Sequence, residues 1–209
     1  MPAWFQVPQR GDLALVPRPQ NTDPFVFGAF LYSNCQQDHE WPKGSGKYRK
    51  FATSRLAIGS LILFGSTHLG RFVLDTCFVV GNVIEIDSLH FEEQVAGRVP
   101  EVFIDATLKP IFIGVRERYL SLYLGAQLDT PASSMYSFFP CYPAGNRSVA
   151  FPRPELELEG PLGSFVNPKS SRRFTRHPCT LEAARGAWKE VRRQVELAGS
   201  SLGVFADPL

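Results

Sequence analysis

The chain has 209 residues, of which 44% are hydrophobic, 20% charged and 12% aromatic, with a formal net charge of +2. That length and apolar content support a packed core and exclude a wholly disordered chain. The small net charge excludes a global field that would drive the protein onto nucleic acid or membrane, so any such binding has to come from a local patch.

Seventeen Phe against two Met point to an aromatic, β-dominated interior. Runs rich in Val, Ile, Phe and Tyr, bounded by Gly, Pro, Asn and Asp, predict strands at Asp12 to Val16, Phe25 to Tyr32, Ser60 to Phe64, Phe72 to Val80 and Val83 to Ile86. Further strands are predicted at Val102 to Ala106, Ile111 to Val115, Tyr119 to Tyr123 and Tyr136 to Phe139. Short helices are expected over Tyr48 to Leu56 and Glu92 to Arg98, and loops over 36–47, 125–134 and 140–171. The clearest helix comes last. Thr180 is its N-cap, Ala184, Trp188, Val191, Val195 and Ala198 form an apolar stripe, and Gly199 ends it. Strands and helices do not alternate regularly, which argues against a doubly wound parallel sheet. The expected fold is α+β and predominantly β: a small curled antiparallel sheet or barrel with peripheral helices and a C-terminal helix. Residues 1–209 are expected to form a single domain, with a β-rich core over about 10–140 and a loop and helical extension over 141–209.

Cys35, Cys77, Cys141 and Cys179 show no tight framework and are expected to be free thiols in a reducing compartment. The residues from Met1 to Gln6 lack the basic and long apolar regions of a signal peptide, and no apolar run is long enough for a membrane span. A soluble, cytoplasmic protein with no membrane partner is the expectation. Its oligomeric state is open.

The most informative stretch is a hairpin. Leu56 to Ser66 and Arg71 to Val80 are two strongly apolar strands joined by Thr67-His68-Leu69-Gly70. Strict alternation puts Phe72, Leu74, Thr76, Phe78 and Val80 on one face and Val73, Asp75, Cys77 and Val79 on the other. Both sets are mostly apolar, so the strand is expected to be central and covered on both sides. Asp75 is then anomalous, because a buried carboxylate is costly unless paired or protonated. One reading pairs it with backbone N–H groups or with Arg55 or Arg71; the other makes it a pocket-floor acceptor or general base.

The hairpin resembles the PUA-like superfamily, which includes the ASCH, EVE and YTH domains. The likeness rests on Gly59 to Ser66, a Gly-polar turn running into Leu-Ile-Leu-Phe, and on Arg71 to Val80, with its Phe-Val and Phe-Val-Val pairs. Ser60 stands where the usual acid would follow the glycine. The chain also resembles predicted bacterial nucleotide-modification-associated proteins through Asp23 to Gly28, Tyr32 to Gln37 and Met135 to Cys141. These resemblances imply a compact PUA-like β-barrel that holds a modified or flipped base in an aromatic-lined pocket.

Several residues are candidates for such a pocket. Asn34 and Gln36, in Tyr32-Ser33-Asn34-Cys35-Gln36-Gln37, carry amides able to pair with a base edge, or they belong to an ordinary turn. Tyr136 and Phe138 share a face and could stack on a base, or lie in the core. Trp41 would be a lid over the pocket or a cap on an apolar edge. Ser66 and Asp75 complete the base-contacting set. The window 161–193 carries eight bases against two acids, among them Arg172, Arg173 and Arg176, the candidate phosphate contacts. A solvated helix face is the plain alternative.

No metal and no cofactor are expected. Cys35 and His39 with His177 and Cys179 could supply four zinc ligands, but neither pair has the spacing of a strong motif. Gly199-Ser200-Ser201-Leu202-Gly203 follows a helix and has no His after it, which argues against a nucleophile elbow. Gly44-Ser45-Gly46-Lys47 lacks the first glycine and the hydroxyl of a phosphate loop. The first function expected is a module that binds nucleic acid or a nucleotide. The second is an enzyme processing a nucleobase or nucleoside with Asp75 as its base, and Asp105 as the rival carboxylate. The third is a protein-interaction module. Whether the chain is an enzyme stays open.

Overall fold

The computed structural model describes residues 24–33, 56–113, 119–143, 152–165 and 180–206. The predicted strand at Asp12 to Val16 and the predicted helix from Tyr48 up to Arg55 lie outside them. The protein is α+β with antiparallel sheets and a C-terminal helix, and no barrel closes among the described residues. The chain divides into two compact units. The first is built from 57–81 and 125–204, the second from 1–56, 82–124 and 205–209.

In the first unit, strand β2 (Leu61–His68) pairs antiparallel with β3 (Arg71–Asp87), whose first part belongs to this unit. The pairing reaches His68 and Arg71, so the connection is only Leu69-Gly70. Both residues have positive φ, 48° and 80°, the backbone of the two-residue turn that matches strand twist. The ladder slips once. Phe64 opposes Thr76, while Gly65 opposes Leu74, which leaves Asp75 as an extra residue in β3. This β-bulge corrects the strict alternation expected from the sequence. Leu74 before it and Cys77 and Val79 after it all enter one core cluster. The expectation of a strand covered on both faces holds, since every residue from Val73 to Val80 is buried except Asp75.

The predicted strand at Tyr136 to Phe139 is shorter and displaced. Phe138 makes a single bridge to Cys77, and β5 (Phe139–Cys141) follows. Strand β6 (Glu155–Leu156) pairs with Phe72 and Val73 inside the stretch expected to be loop, and β7 (Ser201–Gly203) pairs with β5. The Gly199–Gly203 match is therefore a helix end running into a strand.

Helix α4 (Leu181–Leu197) starts as expected: Thr180 is its N-cap and its hydroxyl accepts from the Ala183 N–H at 3.2 Å. Ala184, Ala187, Trp188, Val191 and Val195 are buried against Leu74, Val79, Met135 and Phe138, whereas Ala198 is exposed and lies beyond the stripe. Gly186 sits mid-helix on the exposed face, and a Cβ built there would meet nothing within 4 Å. Gly186→Ala is therefore expected to raise stability by about 0.5–1 kcal/mol, read as a higher urea midpoint at unchanged slope.

In the second unit the rest of β3 runs beside β4 (Tyr119–Gly125), and β4 pairs with β1 (Leu31–Tyr32). The sequence predicts two strands at Phe72 to Val80 and Val83 to Ile86. They are one continuous strand through Gly81 and Asn82. From Phe25 to Tyr32 only Leu31–Tyr32 is strand, with isolated bridges at Phe25 and Phe27. Helix α1 (Phe91–Val95) begins one residue before the predicted span of Glu92 to Arg98 and ends three residues short of it.

The strand predicted at Val102 to Ala106 is corrected, as is the described part, Ile111 to Ile113, of the one predicted at Ile111 to Val115. The chain is helical from α2 (Glu101–Phe103) through a π-helical turn (Ile104–Leu108) into α3 (Lys109–Phe112). Pro110 lies in the first turn of α3, where a missing N–H costs little. No helix of the described residues is long and apolar enough to cross a membrane.

Candidate functional site

The bulge in β3 decides what Asp75 does. Its carboxylate is not buried in the apolar layer but 36% exposed, and it accepts from both the Nε and the Nη2 of Arg153. The Nη2 also donates to Ser66 Oγ at 2.7 Å. Beside this cluster, Arg71 Nη1 donates to Glu155 Oε2 at 2.6 Å. The sequence offers backbone N–H groups, Arg55 or Arg71 as partners. Arg55 lies outside the described residues and Arg71 pairs with Glu155 instead; among the described residues the guanidinium on Asp75 is that of Arg153, on the segment leading into β6. Ser66 and Asp75 do come together, but around a guanidinium.

Sequence reasoning missed Arg153. A signal existed, because Pro152-Arg153-Pro154 forces an extended backbone that continues into the Glu155–Leu156 strand. The Leu74 N–H donates to the Pro154 carbonyl at 2.9 Å and Leu156 is buried in the core, so the segment is fixed on both sides of the hairpin contact.

The aromatic candidates divide. Phe138 has no exposed surface and packs with Trp188, ring centroids 6.4 Å apart, so it is a core residue and not a stacking platform. Tyr136 is half-buried at 5.1 Å from Trp188, and its carbonyl accepts from Trp188 Nε1 at 2.9 Å. Asn34, Gln36, Trp41, Arg172, Arg173 and Arg176 lie outside the described residues, as do Cys35, His39, His177 and Cys179. Tyr32 and Ser33 are described. Tyr32 stacks on Tyr123 at 6.2 Å, and Ser33 is buried with no hydrogen-bond partner for its hydroxyl among the described residues.

Charges on α4 are largely paired within the helix. Arg192 Nε donates to Glu196 at 2.9 Å, and Arg193 grips Glu190 through Nε and Nη2. Hydrogen bonds from Arg193 and then Gln194 hold the Glu190 carboxyl down to about 2. Arg185 donates to the Ser133 carbonyl. Asp105 lies on the π-helical turn and pairs with Lys109 at 2.7 Å, an exposed i,i+4 ion pair. Burial pushes the free Cys77 thiol far above its ordinary range, which makes it an inert core group. Among the described residues no three His, Cys, Asp or Glu side chains converge as a metal site. The chain matches no family model, no curated protein and no solved structure.

Proposed function

We propose that the protein binds nucleic acid or a nucleotide as a module of PUA-like type, with its basic segment on the phosphates. The observation that carries this reading is the distribution of charge. Between Glu159 and Glu182 the chain holds Lys169, Arg172, Arg173 and Arg176 and not one acidic residue. On α4, by contrast, Arg192 and Arg193 are already neutralised by Glu196 and Glu190. The unbalanced charge therefore belongs to the 160–181 segment rather than to a solvated helix face. The likeness of the Gly59–Val80 hairpin to PUA-like proteins supports the same reading.

Asp75 favours binding over base catalysis. Both of its carboxylate oxygens accept from one guanidinium, so the group is committed to an ion pair rather than left free to face a substrate.

The test is a titration with labelled single- and double-stranded DNA and RNA, with and without modified bases, at two salt concentrations. Binding is expected to weaken steeply as salt rises. The combined R172A, R173A and R176A variant is expected to lower the slope of log K against log salt on duplex by about 2–3. A flat salt response overturns the proposal.

A further inference from the structure

We infer that Arg153 is the phosphate contact of the hairpin face, and that Asp75 and Ser66 are positioning residues that hold its guanidinium in place. The inference rests on the nucleic-acid reading and gives it a residue within the described fold. Nε and Nη2 of Arg153 are engaged by Asp75 and Ser66, while its Nη1, with two N–H donors, has no partner among the described residues. The side chain is 48% exposed. A long basic side chain on a surface ordinarily loses rotamer freedom when it grips an anion. Here that ordering is already done, and the planar fork is held with one donor pair left over.

The local architecture serves this arrangement. The bulge makes Asp75 the unpaired residue of β3 opposite the Phe64-Gly65 step, one residue from Ser66 on β2. Bulges are a means of re-aiming one side chain without breaking a ladder. Stability gives little reason for the clamp, since exposed ion pairs contribute little and β6 is already fixed by Leu156 and the Pro154 carbonyl. Arg71 is a weaker candidate: one contact holds it, and its side chain is 72% exposed. With Asp75 and Glu155 beside the two arginines the patch is close to neutral. It supplies a placed contact rather than a general attraction.

The ligand group is a phosphate oxygen, from a strand's phosphodiester or from a free nucleotide. The full chain and its R153A, R153K and D75N variants are titrated with a labelled single-stranded oligonucleotide across salt, with unfolding curves to confirm that each is folded. R153A is expected to bind about tenfold more weakly, with a salt slope reduced by about one. R153K is expected to restore the slope but not the affinity, because it keeps the charge and loses the fork. D75N is expected to weaken binding even though it removes a nearby negative charge. Tighter binding by D75N overturns the positioning role. Unchanged binding by R153A and R153K, alongside loss in the R172A, R173A and R176A variant, overturns this inference and leaves the nucleic-acid reading standing. No binding by the wild type removes both. Should R153A fail to fold, R153K and D75N carry the test. Displacement by adenosine 5′-monophosphate but not adenosine assigns the contact to a free nucleotide, and its absence assigns the contact to a strand.

Discussion

Replacing Trp188 with alanine is expected to cost about 3–5 kcal/mol, the range for truncating a fully packed aromatic residue. The indole is only 4% exposed and lies on the stripe through which α4 meets the sheet. Three kinds of interaction converge on it. Tyr136 and Phe138 meet it edge to face, Arg192 lies 5.9 Å over its ring, and Nε1–H donates to the Tyr136 carbonyl. Alanine removes all three, opens a cavity against Phe138 and leaves that carbonyl without its donor. Trp188→Phe separates the terms. It keeps most of the ring packing and loses the hydrogen bond, and is expected to cost about 1–2 kcal/mol. Urea unfolding followed by far-UV circular dichroism measures both, since replacing a tryptophan changes the fluorescence signal itself. A W188A midpoint within error of wild type would mean that α4 does not anchor this core.

Helix α4 is legible in the sequence because its apolar spacing, cap and glycine stop all agree, and because it is long enough for the 3.6-residue period to repeat. The hairpin is legible for a similar reason, with two apolar runs around a glycine-bearing turn. The failure at residues 101–112 has a physical cause. Val102-Phe103-Ile104 and Ile111-Phe112-Ile113 read as short apolar strands, and Pro110 argues against a helix. Yet buried Phe103, Ala106, Thr107 and Ile111 carry helical spacing, Pro100 precedes the first turn, and the π-helical turn lets α3 begin at Lys109 so that Pro110 falls in its opening turn.

At the candidate site, Asp75 is legible as an anomaly, a charge inside an apolar strand. Its partner is not, because Arg153 lies 78 residues away in a stretch whose composition reads as loop. Nor is the bulge, since a one-residue slip is set by how two strands pair and not by either strand alone. Tyr136 and Phe138 share a face, but which of them is core depends on where α4 lies across them, and local periodicity carries no such information.

The bulge itself can be tested through Gly65. A Cβ built on Gly65 would stand 2.1 Å from the Val73 carbonyl oxygen and 2.6 Å from the Phe72 ring. The carbonyl belongs to the ladder partner, so it cannot swing aside as a flexible side-chain tip would. Gly65→Ala therefore has to shift the backbone at the slip between Phe64 and Gly65, and is expected to cost about 3 kcal/mol, the upper end for overpacking a tight site. Gly70→Ala is the contrast: its Cβ would meet nothing within 4 Å, so only its positive φ is penalised, at about 1 kcal/mol. Because the slip at Gly65 is also what leaves Asp75 unpaired, the Gly65 variant is expected to loosen the Arg153 clamp as well, and Gly70→Ala to leave it intact. Urea unfolding reads the stability difference, and hydrogen exchange at the Leu74 amide, which donates to Pro154, reads the clamp segment. A Gly65→Ala protein as stable as wild type, with Leu74 still protected, would show that the slip is incidental and that Asp75 reaches Arg153 without it.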